Sequence, residues 1–238
     1  MSSYQPLHTQ LKEAIVTAIQ SGVYSPGTRL PSQRELCEKH NMSHMTVRRA
    51  INELVGEGFI TAVPGRGLFV KEPVAYPLEN FKGFNTLTRE GGQTPTSQVL
   101  EAHLIPATEA LARDLEISEN SEVVHLHRLR FIDGRPVMIQ QSWLPHTLCP
   151  DILVNDFANS SLFEILSMKY NVQVVEGRQT ISARLATQEE CRLLRLAKFG
   201  VVLTVDALEY SQTHRPVEFS ISVFNPQIHP LRQTNRAE

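Results

Sequence analysis

The spacing of apolar residues changes character once along the chain, near Lys71-Glu72-Pro73, and no single regular architecture accommodates both sides of that change. Before it, apolar side chains recur every three or four residues, the period of a helix face. Beyond it, alternate-residue runs dominate, the period of a strand. Leu7, Leu11, Ile15 and Ile19 stand four apart with Ala14 and Ala18 beside them, which predicts an amphipathic helix over residues 6–20. Pro6 suits its first turn and Gly22 its end. Tyr24-Ser25-Pro26-Gly27 reads as a turn. Ser32-Gln33-Arg34-Glu35 has the form of a capping box, opening a short helix to about Lys39 with Leu36 and Cys37 inward. His40-Asn41-Met42 interrupts, and Ser43 can cap a third helix. There Val47, Ala50, Ile51, Leu54 and Val55 form one apolar stripe, with Thr46, Arg49, Asn52 and Glu53 opposite and Arg48 on the flank. Two strand-like runs, 59–63 and 68–70, then flank Pro64-Gly65-Arg66-Gly67, a hairpin with a glycine-rich tip.

Three helices, a tight turn between the second and third, and a hairpin make the winged helix-turn-helix order. A capped helix presents its first side chains and N–H groups to a groove, and the tip carries Arg66 towards phosphate or the minor groove. The competing reading is an ordinary three-helix domain with solvated arginines. Net charge, −2, would discourage nucleic-acid binding, but its distribution does not. Residues 1–73 hold eight Lys/Arg against six Asp/Glu, and the remainder holds fifteen against nineteen. A mildly basic head on an acidic body suits a DNA-binding module joined to a ligand-binding one.

Composition closes other classes. With 41% hydrophobic and 20% charged residues, a mostly disordered chain is not expected. Three cysteines, Cys37, Cys149 and Cys191, are odd in number and form no C-x-x-C pair, which fits a reduced, cytoplasmic setting. No histidine pairs with a cysteine at finger spacing, so neither a zinc site nor any cofactor is implied. No apolar run spans a bilayer and the start lacks the pattern of a signal peptide.

In order and without gaps, Tyr4-Gln5-Pro6-Leu7, Gly27-Thr28-Arg29-Leu30-Pro31-Ser32-Gln33-Arg34-Glu35-Leu36, Ser43-His44-Met45-Thr46-Val47-Arg48-Arg49-Ala50, Leu54, Glu57-Gly58 and Gly65-Arg66-Gly67-Leu68-Phe69-Val70 closely resemble the GntR superfamily of bacterial transcription regulators. The resemblance implies double-stranded operator DNA as partner. It places Arg34, Ser43, His44, Thr46, Arg48, Arg49, Gly65, Arg66 and Gly67 at the DNA, with His44 where arginine is frequent.

Beyond a linker over residues 72–79, strands are expected at 99–104, 123–131, 136–143, 172–185, 201–210 and 217–224. Asp133-Gly134 is the strongest hairpin signal. Helices are expected at 108–115, at 162–169 behind Ser160 or Ser161, and from the second capping box, Thr187-Gln188-Glu189-Glu190, to about Leu196. Antiparallel strands with a few helices make an α+β domain. The arrangement resembles the UTRA effector domain of the HutC-like branch. It does so through Pro95, Val99-Leu100, Leu126-x-Arg128-x-Arg130, Gly134-x-Pro136, Ser142-Trp143-Leu144-Pro145 and Arg215-Pro216-Val217-Glu218-Phe219-Ser220. What this implies is a winged helix-turn-helix domain over residues 1–71 and a chorismate-lyase-like antiparallel sheet with helices over 80–238, binding a small molecule without transforming it.

Alternation suggests where. Along residues 217–224, Val217, Phe219, Ile221 and Val223 form an apolar side expected against the core, while Glu218, Ser220, Ser222 and Phe224 share the other, a plausible pocket floor. Arg128 and Arg130 project to one side of their strand, where two guanidiniums can clamp a phosphate or carboxylate; a solvated sheet face is the alternative. By matching motif, the resemblance adds Gln140, Ser161 at a helix N-terminus and Phe84-Asn85 as a closing segment. Three positions depart from the family pattern: Gln140 where glutamate is common, Ile221 where arginine is, and Phe224 where tyrosine is. An amino-sugar phosphate is therefore not carried over as the effector. His125 and His127 share a strand face with Val123, Leu129 and Phe131 and are expected to pack there.

The expectation is a ligand-responsive regulator, a repressor acting as a homodimer on a pseudo-palindromic operator and released by a small anionic metabolite. Two alternatives stand beside it: an enzyme using the chorismate-lyase-like domain, and a DNA-binding protein without effector. Against the enzyme, no nucleophile–base–orienter set stands at a recognisable spacing.

Overall fold

The fold is that of a computed structural model, which describes residues 5–71, 76–77, 83–196, 200–226 and 231–232. The chain divides into two compact units, Met1–Val74 and Ala75–Glu238. Most of the segment expected as a linker lies outside the described residues. Within it, β3 (Tyr76–Pro77) pairs in parallel with β10 (Leu231–Arg232).

In the first unit, α1 (Leu7–Gln20), α2 (Gln33–His40) and α3 (His44–Glu57) precede a hairpin of β1 (Ile60–Val63) and β2 (Gly67–Val70). Local chemistry sets each boundary. The Ser32 hydroxyl accepts from the Glu35 N–H at 3.2 Å and the Glu35 carboxylate accepts from the Ser32 N–H at 2.7 Å, both halves of the capping box. Asn41 ends α2 in the left-handed region, a conformation asparagine tolerates. Ser43 caps α3 by accepting from the Thr46 N–H at 3.2 Å. Leu11, Ile15, Leu30, Leu36, Val47, Ala50, Ile51, Leu54, Ile60, Leu68 and Val70 form one core. Val55, expected in the buried stripe, is exposed, at the stripe's margin in the last turn of α3. Across α1 and α3, Lys12 Nζ meets Glu57 Oε1 at 2.7 Å and Glu53 Oε2 at 3.5 Å.

The second unit is built on a six-stranded antiparallel sheet. Its strands are β4 (Pro95–Pro106), β5 (Glu122–Ile132), β6 (Arg135–Pro145), β7 (Val174–Leu185), β8 (Val201–Ser211) and β9 (Pro216–Phe224), in spatial order β4-β5-β6-β9-β8-β7. Asp133 and Gly134, at φ 49 and 76, turn β5 into β6 with both central residues left-handed, as a type I′ hairpin turn requires. Helix α4 (Gly83–Glu90) and helix α6 (Leu162–Tyr170) are in contact, and Ser161 rather than Ser160 caps α6. The short helices α5 (Glu109–Asp114) and α7 (Gln188–Leu193) contribute to two further clusters, one with Val123 and Trp143, the other with Leu129, Ile139 and Val223.

The apolar side of β9 is not uniformly the core. Val217 and Val223 are buried but Phe219 and Ile221 only partly, whereas Glu218, Ser220, Ser222 and Phe224 are all buried. Phe219 packs against the cluster that holds α5, and Val223 belongs to the one that Leu193 of α7 joins. The better buried face of this strand is the polar one.

Candidate functional sites

The first unit displays a helix and a wing. Ser43, at the front of α3, also meets the Thr46 hydroxyl at 2.9 Å, which fixes the first turn. His44 and Met45 stand exposed beside it, Met45 at 75%. Four of the five arginines on this unit divide by partner. Arg34 Nε donates to Glu38 Oε1 at 3.0 Å and Arg49 Nε to Glu53 Oε1 at 3.4 Å, each one helical turn on. Arg48 and Arg66 are exposed and face no acidic side chain among the described residues; Arg66 lies over the Phe69 ring at 5.9 Å. An unpaired guanidinium meets a phosphate without first giving up a carboxylate, so Arg48 and Arg66 are the stronger phosphate or base-edge donors.

The wing is tied to the strand-like segment before α2. Gly27 N–H, Leu30 N–H and Val70 N–H donate to Val70, Leu68 and Thr28 carbonyls at 2.8–2.9 Å. Gly67 sits at φ +110, and a Cβ there would come within 3.0 Å of Arg29 Nε, so glycine answers both backbone and neighbour. Arg29 is an exposed cation at the wing's base that periodicity does not single out; its closeness to Gly67 depends on a bridge to Phe69, far along the chain. Met45 was equally illegible, because an apolar residue at a helix front signals core until exposure is known.

The second unit holds a cavity of about 50 Å³, room for a few waters. Its floor is one face of the sheet, assembled by register. Arg128 stands opposite Gln140, Gln140 opposite Ser222, and Ser222 opposite Val205. Further along, Ser220 pairs with Ala207, and Glu218 with Glu209. Gly83 and Phe84 from α4, with Ser161, Leu162 and Phe163 at the start of α6, complete the lining. Seven of the eight residues anticipated for the effector therefore share one cavity: Phe84, Arg128, Arg130, Gln140, Ser161, Glu218 and Phe224. Asn85 does not line it; buried behind, its Oδ1 accepts from Arg130 Nη1 at 3.5 Å.

The two arginines differ. Arg130 is held on several sides: Nε and Nη2 donate to Gln140 Oε1 at 3.2 and 3.0 Å, Nη1 donates to Ser97 Oγ at 2.8 Å, and the guanidinium lies 5.0 Å from the Phe84 ring centroid. Arg128, 1% exposed, donates from Nη2 to Gln140 Oε1 at 3.2 Å, while its Nε and Nη1 are buried without a partner. Burial brings its pKa down to about 10, which leaves it charged at neutral pH. Burial also raises the Glu218 carboxyl, offset by Ser142 and by the charges of Arg128 and Arg130. It raises Glu209 to about 8, helped by the neighbouring Glu218. Glu209 Oε2 and Glu218 Oε1 are also buried without partners. Buried polar atoms left unpaired are costly, and a set of them around one cavity is a binding specification.

Glu209 and Gln179, which also line the cavity, escaped the sequence reading. Glu209 is one of several acids in strand-like runs, and only its pairing with Glu218 marks it. A local signal for Gln179 is absent.

Residues 7–70 match the family described as bacterial regulatory proteins, gntR family, and residues 90–229 match the UTRA domain. Among similar proteins, the HTH-type transcriptional regulator YurK of Bacillus subtilis is 33% identical over 92% of this chain and 91% of its own length. The HTH-type transcriptional repressor NagR of Bacillus subtilis is 30% identical over 92% and 90%. A probable fructoselysine utilization operon transcriptional repressor of Escherichia coli is 29% identical over 92% and 90%. Among solved structures, PhnF from Mycobacterium smegmatis aligns with a TM-score of 0.67 at 21% identity, covering 98% of this chain and all of that one.

Proposed function

The chain belongs to the gntR family of bacterial regulatory proteins, and we propose that it represses transcription in the cytoplasm as a homodimer on a pseudo-palindromic operator, released by a small anionic metabolite held in the sheet cavity. It is a ligand-responsive transcription regulator and not an enzyme, as its similar proteins are regulators and repressors. The domain limits proposed are 1–71 for the reading head, 72–79 for the connection and 80–238 for the effector domain.

In the head, α3 enters the major groove with Ser43, His44 and Thr46 leading, Arg48 reaches phosphate or base edges, and Arg66 at the wing tip reaches backbone or minor groove. Arg34 and Arg49 join once their glutamate partners are displaced, and Gly65 and Gly67 let the tip approach.

One observation carries the effector reading: Arg128 is fully buried, charged, and has two donors with no acceptor. A phosphate or carboxylate supplies those acceptors in bidentate form. The charge count agrees. With Glu209 near 8 and so largely protonated at pH 7, two guanidiniums face one ionised carboxyl at most, leaving an excess positive charge. The N–H groups at the start of α6, beside Ser161, add a second anion-binding feature. Gln140, Glu218, Ser220 and Ser222 offer polar partners to hydroxyl or amine groups. Arg130 positions Gln140 and Phe84 rather than waiting for the ligand. A cavity of about 50 Å³ cannot seat a sugar phosphate as it stands, so binding displaces lining side chains. That displacement is how a ligand can distinguish two states of the protein.

The test is a thermal-shift panel of sugar phosphates, phosphorylated amines and dicarboxylates on the full chain. A true effector raises the melting temperature by mass action, and the same compound must weaken binding to an operator selected from random DNA. An effector of neutral or cationic chemistry would contradict the charge reading.

A further inference from the structure

The opposite face of the sheet carries a second cluster of ligating side chains. Glu101 and His103 lie two apart on β4, and His125 and His127 two apart on β5, so each pair shares a face. The register sets Glu101 opposite His127 and His103 opposite His125. One ligand atom each from Glu101, His103 and His125 fall within 4.8 Å of one another, the one such group among the described residues. His125 is the fixed member. It is buried, its ring stacks on Trp143 at 5.2 Å between centroids and 10° between planes, and its Nε2 meets Gln141 Oε1 at 3.2 Å. The Gln141 oxygen can only accept, so Nε2 carries the hydrogen and Nδ1 turns a lone pair outward. That Nδ1 lies 3.7 Å from Glu101 Oε2. Two acceptors then face each other, an arrangement that a cation between them resolves.

We propose that Glu101, His103 and His125 form a surface site for a divalent transition metal of zinc type. Two imidazoles and a carboxylate are a donor set that zinc and its first-row neighbours prefer, whereas magnesium and calcium demand oxygen. The exposed side chains of Glu101 and His103 rotate to close on His125, bringing donors to the usual distance of about 2.0–2.2 Å, and water fills the remaining positions. Gln141 positions the site, holding the tautomer that frees Nδ1, the role carbonyl partners play around ligating histidines. A search for cysteine–histidine spacing could not reveal this set, because its members come from two strands and no cysteine takes part. The site shares no residue with the sheet cavity, so it stands or falls separately from the effector reading.

The experiment is calorimetric titration of zinc chloride into the untagged, metal-stripped full chain, with a cobalt spectrum beside it. Expected is saturable binding at one equivalent, lost or weakened at least tenfold in His103→Ala and in Glu101→Gln and unchanged in His146→Ala, which removes a separate histidine–glutamate pair. Gln141→Leu weakens binding by about tenfold while leaving the three ligands in place. Cobalt gives ligand-field absorption without a thiolate charge-transfer band. Since Glu101 and His103 are exposed, their variants keep the metal-free melting temperature. Equal zinc affinity in His103→Ala, no saturable binding, or a thiolate band from cobalt would each overturn the proposal.

Discussion

The reading head and the effector sheet handle charge in opposite ways. On the head, arginines stand in solvent, either free or paired one helical turn away, and the surface is ready for a polyanion. In the sheet, arginines and glutamates are buried around a cavity, where two donors of Arg128 and one acceptor each of Glu209 and Glu218 are unpaired. A solvated cation costs almost nothing to keep and gains by releasing counterions at DNA. A buried one is costly until its partner arrives, which makes its site selective for that partner. The head is thus suited to reading a long charged lattice, the sheet to recognising one small ion.

If the units are energetically separate, core truncation in one must leave the other intact. Leu54→Ala in the head removes a fully buried side chain and should cost about 2–5 kcal/mol, shifting one calorimetric transition and sparing the other. Leu144→Ala should do the reverse. A single merged transition that moves equally in both variants would erase the division.

The exposed-cation half of the contrast is sharpened at Arg66. Arg66→Ala should weaken operator binding by about 1–3 kcal/mol if it reads a base edge, or lower the salt slope by about one if it meets phosphate. Unchanged affinity with an unchanged slope removes the wing from the interface.

The buried half has a pH signature. Glu209 titrates near 8 when folded and near 4.5 when unfolded, so between those values the unfolded state has lost a proton the native state keeps. Stability from this group is therefore present below about 4.5 and is lost as pH rises towards 8, with a slope of at most about 1.4 kcal/mol per pH unit. Glu209→Gln should flatten the decline in melting temperature of the second unit over that range. An identical slope in wild type and variant would mean Glu209 is ionised in the native cavity.

The smallest effect belongs to the helix cap. Ser43→Ala deletes the acceptor for the Thr46 N–H and should cost about 1 kcal/mol of head stability, with a further loss of operator affinity because the first turn frays. Ser43→Asp should restore stability but not affinity, since it brings a negative charge towards phosphate; recovery of both would confine Ser43 to capping.

How much could be read in advance follows the same division. The head's site is local: two serine caps, an asparagine break and a glycine-flanked arginine are signalled within a few residues of where they act. What stayed hidden there, Arg29 and Met45, depends on a bridge to the wing and on exposure. In the sheet, alternation placed Glu218, Ser220 and Ser222 on one face and Arg128 and Arg130 on one side of their strand, and the family likeness added Gln140 and Ser161. Alternation could not tell which face was the buried one. Nor could it find Glu209, which joins the cavity only through its pairing with Glu218, or bring Glu101 and His103 to His125. Strand register is a long-range property, and residues paired across it leave no spacing to recognise.

The most direct test of a polyanion-reading head governed by an ion-selective sheet is operator release by the panel's best anion, measured by anisotropy in wild type and in Arg128→Ala. In wild type the anion should weaken operator binding, a coupling of about 1–3 kcal/mol. Arg128→Ala should bind the operator as well as wild type without the anion and no longer respond to it. Intact release in Arg128→Ala, or operator affinity lost without any anion, would contradict the assignment of the buried guanidinium to the effector.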